Sequence, residues 1–244
     1  IAETPEITAV LEKVLLQWWP DVYVDVHNGG AYPYHLTYQA TLHPNADSAL
    51  VAFARGPMYQ AVKRHMESQN MRFYWYSGPR RNAATGEYTW HTTEPWARKQ
   101  HSYGGLQNMI TLLYEIPGRW TLREQSDNAR EGMVGLIRFV ADNAQQVRST
   151  VVEARRRTLH SPRPQIAIGS TEAAYPQPEQ FYVMQDNEPQ LVTGLNRTLW
   201  VANSTRARPW AYAFDGNLHK VADLMRRHAI EVERLEAPLQ VDVE

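Results

Sequence analysis

Apolar residues recur along this chain with two different periods, and the alternation between them marks out its elements. Ile7, Val10, Leu11, Val14 and Leu15 share one face of a helix introduced by Thr4-Pro5-Glu6: a hydroxyl cap, a proline at the first position and an acid in the first turn. Pro20-Asp21 stops it. Val22, Val24 and Val26 then alternate with Tyr23, Asp25 and His27, the period of a strand, and Asn28-Gly29-Gly30 breaks that strand at once. No element is predicted between Gly30 and Ala46. Helices are expected from Ala46 to Ala54 and, after Pro57, through Val62 to about Gln69; Met71 to Tyr76 reads as a strand. Residues 77–105 are polar, aromatic and rich in turn formers, and a loop of that length is uncommon unless it has a task. Met109 to Ile116 is a second strongly apolar strand, ended by Pro117-Gly118. Met133, Leu136, Ile137, Val140, Ala144, Val147 and Val151 then predict one long amphipathic helix.

Strand, helix, helix, strand, loop, strand, helix is the order of an α/β domain, expected here over residues 1–160. The composition shifts after Arg157. Pro162, Pro164, Pro176 and Pro178 make 161–180 read as a connection. Short strands are expected at 181–185, 197–202 and 209–213, then a helix carrying Leu218, Val221, Leu224 and Met225, then strands at 230–235 and 239–243. Residues 181–244 are accordingly expected to form a small appended α+β domain.

Charge and composition narrow the function classes. A net charge of −1 gives no bulk attraction to nucleic acid or an anionic membrane. Arg155-Arg156-Arg157 reads as a solvated helix end. No apolar run approaches the roughly 20 residues of a membrane span. The chain has no cysteine, which rules out disulfides, a thiolate metal site and a cysteine nucleophile; any metal must be held by His, Asp or Glu. Eight Trp and 13 Tyr, scattered along the chain, fit core and interface packing better than a sugar-binding platform.

Two residues stand where chemistry is expected. His27 closes a strand beside a Gly-Gly turn, the end of an α/β strand where ligands gather, and Asp25 shares its face. The two glycines would leave room for a metal or substrate. His27 reads equally as a strand-end histidine satisfied by hydrogen bonds. Glu115 ends the apolar strand. Burial there would raise its pKa toward the range of a general base, whereas emergence into solvent would leave it ordinary.

The segments around these residues resemble a known family. Pro20-Asp21-Val22-Tyr23-Val24-Asp25-Val26-His27-Asn28-Gly29-Gly30 is similar to the segment of zinc metallocarboxypeptidases that delivers the third zinc ligand. Ser102-Tyr103-Gly104-Gly105-Leu106-Gln107-Asn108 leading into Met109-Ile110-Thr111-Leu112-Leu113-Tyr114-Glu115 is similar to the later segment that ends at the catalytic glutamate. The resemblance covers about residues 1–157. It implies a mixed central sheet flanked by helices, a Zn²⁺ cofactor bound by His27, a peptide substrate cleaved near its C-terminus, and Glu115 as the base that takes a proton from zinc-activated water. It also implies a substrate-covering tyrosine, for which Tyr88 and Tyr103 are the candidates. Arg98 is a further candidate for meeting a carboxylate or polar side chain.

The sequence departs from that family in one serious respect. The other two zinc ligands come from a His-x-x-Glu motif upstream of the third histidine, and no histidine precedes His27. The family's Asn-Arg pair for the substrate carboxylate is absent as well. The expectation is a fragment whose remaining ligands lie before Ile1. A His-x-x-Glu, His91-Thr92-Thr93-Glu94, does occur, but it follows His27 and lies in the polar loop. The alternative is a non-catalytic module that binds peptide or carbohydrate.

Overall fold

The computed structural model describes residues 4–160, 164–237 and 240, and divides into two compact units, Asp21–Arg208 and the two end segments 1–20 and 209–244. In the end unit, Thr4 caps helix α1 (Pro5–Val10), its hydroxyl accepting the Ile7 amide. A π-helical turn, Leu11–Leu15, and a last turn, α2 (Leu16–Trp18), continue it. Leu11 and Leu15 are buried, and Arg227 of helix α8 (His219–Arg227) lies 3.4 Å from Glu12. The strands expected at 209–213 and 230–235 do not form, and the one expected at 239–243 lies almost wholly outside the described residues.

The larger unit is α/β. Its first sheet runs β1 (Val22–Asn28), β6 (Ile110–Ile116), β2 (Leu36–Ala40), β3 (Phe73–Trp75), and is mixed. β1 and β6 are parallel, β6 and β2 antiparallel, β2 and β3 parallel. The central strand β2 falls where no element is predicted. Leu36-Thr37-Tyr38-Gln39-Ala40 does alternate apolar and polar, but both its faces are buried. β1, by contrast, is an edge strand, and Val26 stays 44% exposed, so the alternating valines mark a half-covered strand.

Directly opposite residues of neighbouring strands share a face. One face therefore carries Val22 and Val24, Leu36, Tyr38, Phe73, Trp75, Leu112, Tyr114 and Ile116, the centre of the apolar core. Three helical segments pack on it. The first is α3 (Ser48–Phe53), a π turn (Ala54–Met58) and α4 (Tyr59–Ser68), a continuous helix that accommodates Pro57 inside the widened turn. The second and third are α6 (Leu122–Asp142) and α7 (Ala144–His160), which replace the single long helix expected, the break falling at Asn143. Thr121 and Glu124 form a capping box at the start of α6. The three arginines near the end of α7 are tied down rather than merely solvated. Arg157 grips Asp47, the cap of α3, through two bonds of 2.9 Å, Arg156 holds Glu153 and Arg155 lies 3.6 Å from Asp21.

The loop at 77–105 is mostly structured. β4 (Gly78–Arg81) and β5 (Tyr88–His91) form a hairpin turned at Asn82–Gly86, where Gly86 has φ 77°, and α5 (Gln100–Leu106) follows. The expected connection 161–180 is also largely strand. β7 (Gln165–Ala173) pairs with β10 (Leu199–Ala207), while β8 (Pro178–Gln185) and β9 (Glu188–Arg197) join the hairpin in a second sheet, ordered β4-β5-β9-β8. Pro164 and Pro176 sit beside these strands and Pro178 at the start of β8, positions that tolerate a missing amide, while Pro162 lies outside the described residues. Parallel pairing of β5 with β9 makes 165–207 part of the same compact unit, so the units do not follow boundaries at 160 and 180.

Candidate active site

The other face of the first sheet is polar. Register places Tyr23, Asp25 and His27 of β1 opposite Thr111, Leu113 and Glu115 of β6, and Thr37 and Gln39 of β2 opposite Glu115 and Leu113. Thr37, Gln39, Thr111 and Glu115 are all buried. A buried polar face costs free energy unless its groups find partners. Thr37 Oγ1 donates to the Glu115 carbonyl at 3.0 Å, Thr92 Oγ1 to Gln39 Oε1 at 2.8 Å, and Thr111 Oγ1 to the His101 carbonyl at 2.6 Å. Thr92 and His101 come from the segment 77–105, whose α5 packs on β1, β2 and β6. Its Gly104 and Gly105 allow that approach: a Cβ on either would run into the side chain of Thr111 or Thr41. The long segment between β3 and β6 thus has the task of covering a polar sheet face.

His27 and Glu115 meet at one end of this face, at the carboxyl ends of two adjacent parallel strands. His27 Nε2 lies 3.0 Å from Asp25 Oδ2, and its Nδ1 lies 3.7 Å from Glu115 Oε1. The His27 ring is half exposed, and Glu115 is 8% exposed. With Nε2–H donated to Asp25, Nδ1 presents a lone pair towards a carboxylate oxygen. Two acceptors face each other too far apart for a direct hydrogen bond, an arrangement that favours a proton or a cation between them. Burial raises the Glu115 pKa, His27 pulls it back when its ring is protonated, and Asp25 raises it further.

Gly29 and Gly30 do make room, but for Glu115 itself. A Cβ at Gly29 would come within 2.8 Å of Glu115 Oε2, and one at Gly30 would overlap the Glu115 carbonyl. No motif in the sequence points to His101. It is 4% exposed on α5, and burial, with Lys99 and His27 adding, lowers its pKa to about 4, so it is a neutral imidazole at pH 7. Tyr76 is also drawn in: burial raises its pKa and the Glu115 charge raises it further. Thr41 Oγ1, Ser102 Oγ and both amide atoms of Gln100 are buried beneath α5 with no partner.

The remaining candidates are distributed differently. Tyr103 is half-buried on α5, its phenol raised by burial and lowered by the Gln107 side chain. Tyr88 lies on β5 in the second sheet, where its hydroxyl accepts Gln185 Nε2 at 2.7 Å. The Arg98 guanidinium lies over the Trp96 ring at 4.1 Å. His91-x-x-Glu94 does not form a chelate. Both His91 nitrogens are engaged, by Glu172 at 2.8 Å and Thr89 at 2.8 Å, while Glu94 lies 3.9 Å from Lys99. Among the described residues there is no group of three His, Asp or Glu side chains that could hold a metal, and no helix long and apolar enough to cross a membrane. Comparison with known proteins finds nothing: no family model, no curated protein and no solved structure matches the chain.

Proposed function

We propose that the His27–Glu115 pair is part of the centre of a zinc-dependent hydrolase that cleaves peptide amide bonds near a C-terminus, as the resemblance to metallocarboxypeptidases implies. The observation that carries this is the pair itself: His27 Nδ1 turned to Glu115 Oε1 across adjacent parallel strands, with Asp25 on the far nitrogen. A metal-ligating histidine commonly donates its other N–H to a carboxylate, so His27 has the chemistry of one ligand. Hydrolytic zinc takes three protein ligands and a water, and His27 would be one of them. When bound, zinc supplies polarisation of the scissile carbonyl and acidification of water.

This chain's own residues do the proton work. Glu115, with its pKa raised by burial, accepts a proton from the attacking water and returns it to the leaving amine. Asp25 fixes the His27 tautomer. The test is Glu115→Gln in the intact protein. Turnover falls by about 10²–10⁴-fold with zinc retained; unchanged turnover removes the mechanism. A second reading, a peptide- or carbohydrate-binding module without catalysis, is favoured by the absence of a three-residue ligand set among the described residues. Ligand binding undiminished by Glu115→Gln, with no hydrolysis in the wild type, would decide for it.

A further inference from the structure

Asn28 closes β1 next to His27, is exposed, and is the one asparagine of the sequence followed by a glycine. An Asn-Gly bond is open to an internal reaction that needs only water. The glycine nitrogen loses its proton and attacks Cγ of the asparagine, ammonia leaves, and water opens the resulting succinimide at either carbonyl to give aspartate or isoaspartate. Gly29 offers no Cβ to crowd that ring closure, and asparagine is among the thermolabile residues. The fold opposes both the attack and the departure. The Gly29 N–H donates to the Ile116 carbonyl at 2.9 Å, which engages the proton that must leave and holds the nitrogen towards β6. Asn28 Nδ2 donates to Gln125 Oε1 at 2.9 Å, and Gln125 Nε2 donates to the Trp120 carbonyl at 2.6 Å, so the carboxamide is fixed to the first turn of α6. The Asn28–Gln125 bond is exposed at a strand end, where local opening costs far less than global unfolding.

We propose that Asn28 is a site of spontaneous deamidation, and that Gln125 and the Ile116 carbonyl hold the reaction off while the end of β1 stays paired. The product alters the centre beside it. Aspartate places a further carboxylate next to His27. Isoaspartate routes the backbone through the side chain and adds a methylene just before Gly29. There is no slack for it: a Cβ at Gly29 would already come within 2.8 Å of Glu115 Oε2, and one at Gly30 would overlap the Glu115 carbonyl, so the longer backbone shifts the turn away from Glu115. The modification is independent of the hydrolase assignment.

The experiment incubates the whole chain at mildly alkaline pH and follows aspartate and isoaspartate at Asn28 by peptide mapping. Three samples are compared: folded wild type, wild type unfolded in guanidinium chloride, and folded Gln125→Ala, its fold checked by circular dichroism. Asn28 is lost slowest in the folded wild type, about tenfold or more faster in the unfolded chain, and about 2–10-fold faster in Gln125→Ala, with the other asparagines unchanged between the two folded proteins. Equal loss in the folded and unfolded wild type, or a folded Gln125→Ala no faster than the wild type, overturns the proposal. Should Gln125→Ala not fold, the ratio of unfolded to folded wild type decides.

Discussion

The two faces of the first sheet are built from the same four strands, yet they hold together for opposite reasons. One face, with Leu36, Tyr38, Leu112, Tyr114 and Trp75, is covered by helices and stabilised by apolar burial, about 1.5–3 kcal/mol for each large side chain. The other, with Thr37, Gln39, Thr111, Asp25, His27 and Glu115, gains nothing of that kind, because each buried polar group must first recover the hydrogen bonds it lost to water. It is covered by α5 and the hairpin segment, with hydroxyl-to-carbonyl bonds and two close glycines in place of a greasy interface. Its polar groups are not fully satisfied, and its open end carries a raised carboxylate beside a half-exposed imidazole. A chain that needed only stability would have made both faces apolar.

Substitutions should separate the faces. Leu112→Ala on the apolar face leaves a cavity and lowers stability by about 2–5 kcal/mol in chemical denaturation, without a change in the pH dependence of unfolding. A loss under about 1 kcal/mol would mean that the core is looser than its burial implies. Acid should act through the polar face. His101 has a folded-state pKa of about 4 against an ordinary 6.5, so the folded state binds fewer protons. Stability from this group is fully present above pH 6.5 and is lost as pH falls towards 4, by about 3 kcal/mol in all. Replacing His101 by Gln flattens that part of the stability–pH curve, and an unchanged slope would show that other groups carry it. Gly30→Ala forces a Cβ onto the Glu115 carbonyl and costs about 1–3 kcal/mol, with the β1–β6 contact displaced. Wild-type stability there would mean that the turn relaxes freely. Asp25→Asn should be mild for folding, since the pair is exposed, but about 10–100-fold weaker in zinc affinity through His27. An unchanged affinity would leave Asp25 without a role in orienting the ring.

The same contrast explains how much could be read from the chain. Val22–Asn28 and Ile110–Ile116 were legible because their periodicity and breakers agree, and the pairing of His27 with Glu115 across them follows the order in which the motifs occur. β2 was not legible. A strand buried on both faces usually reads as an apolar run, but Thr37 and Gln39 are buried by polar partners that lie far along the chain, such as Thr92 and Glu115. The alternation Leu36, Tyr38, Ala40 against Thr37, Gln39, Thr41 was the available signal. The role of residues 165–207 was hidden for a similar reason, since β9 completes a sheet begun at β5, about a hundred residues earlier in the chain, and local composition carries no trace of that partner. The His91-x-x-Glu94 spacing shows the converse. A local match to a ligand motif means little when both ring nitrogens are taken by Thr89 and Glu172.

The central claim is that His27 and Glu115 form part of a zinc hydrolase centre, and zinc content measured together with peptide hydrolysis tests it most directly, in the intact protein, wild type beside His27→Ala. Stoichiometric zinc and hydrolysis in the wild type, both lost in His27→Ala, is the predicted result. Zinc retained at full stoichiometry in His27→Ala, or a wild type that folds and binds no zinc, would contradict it.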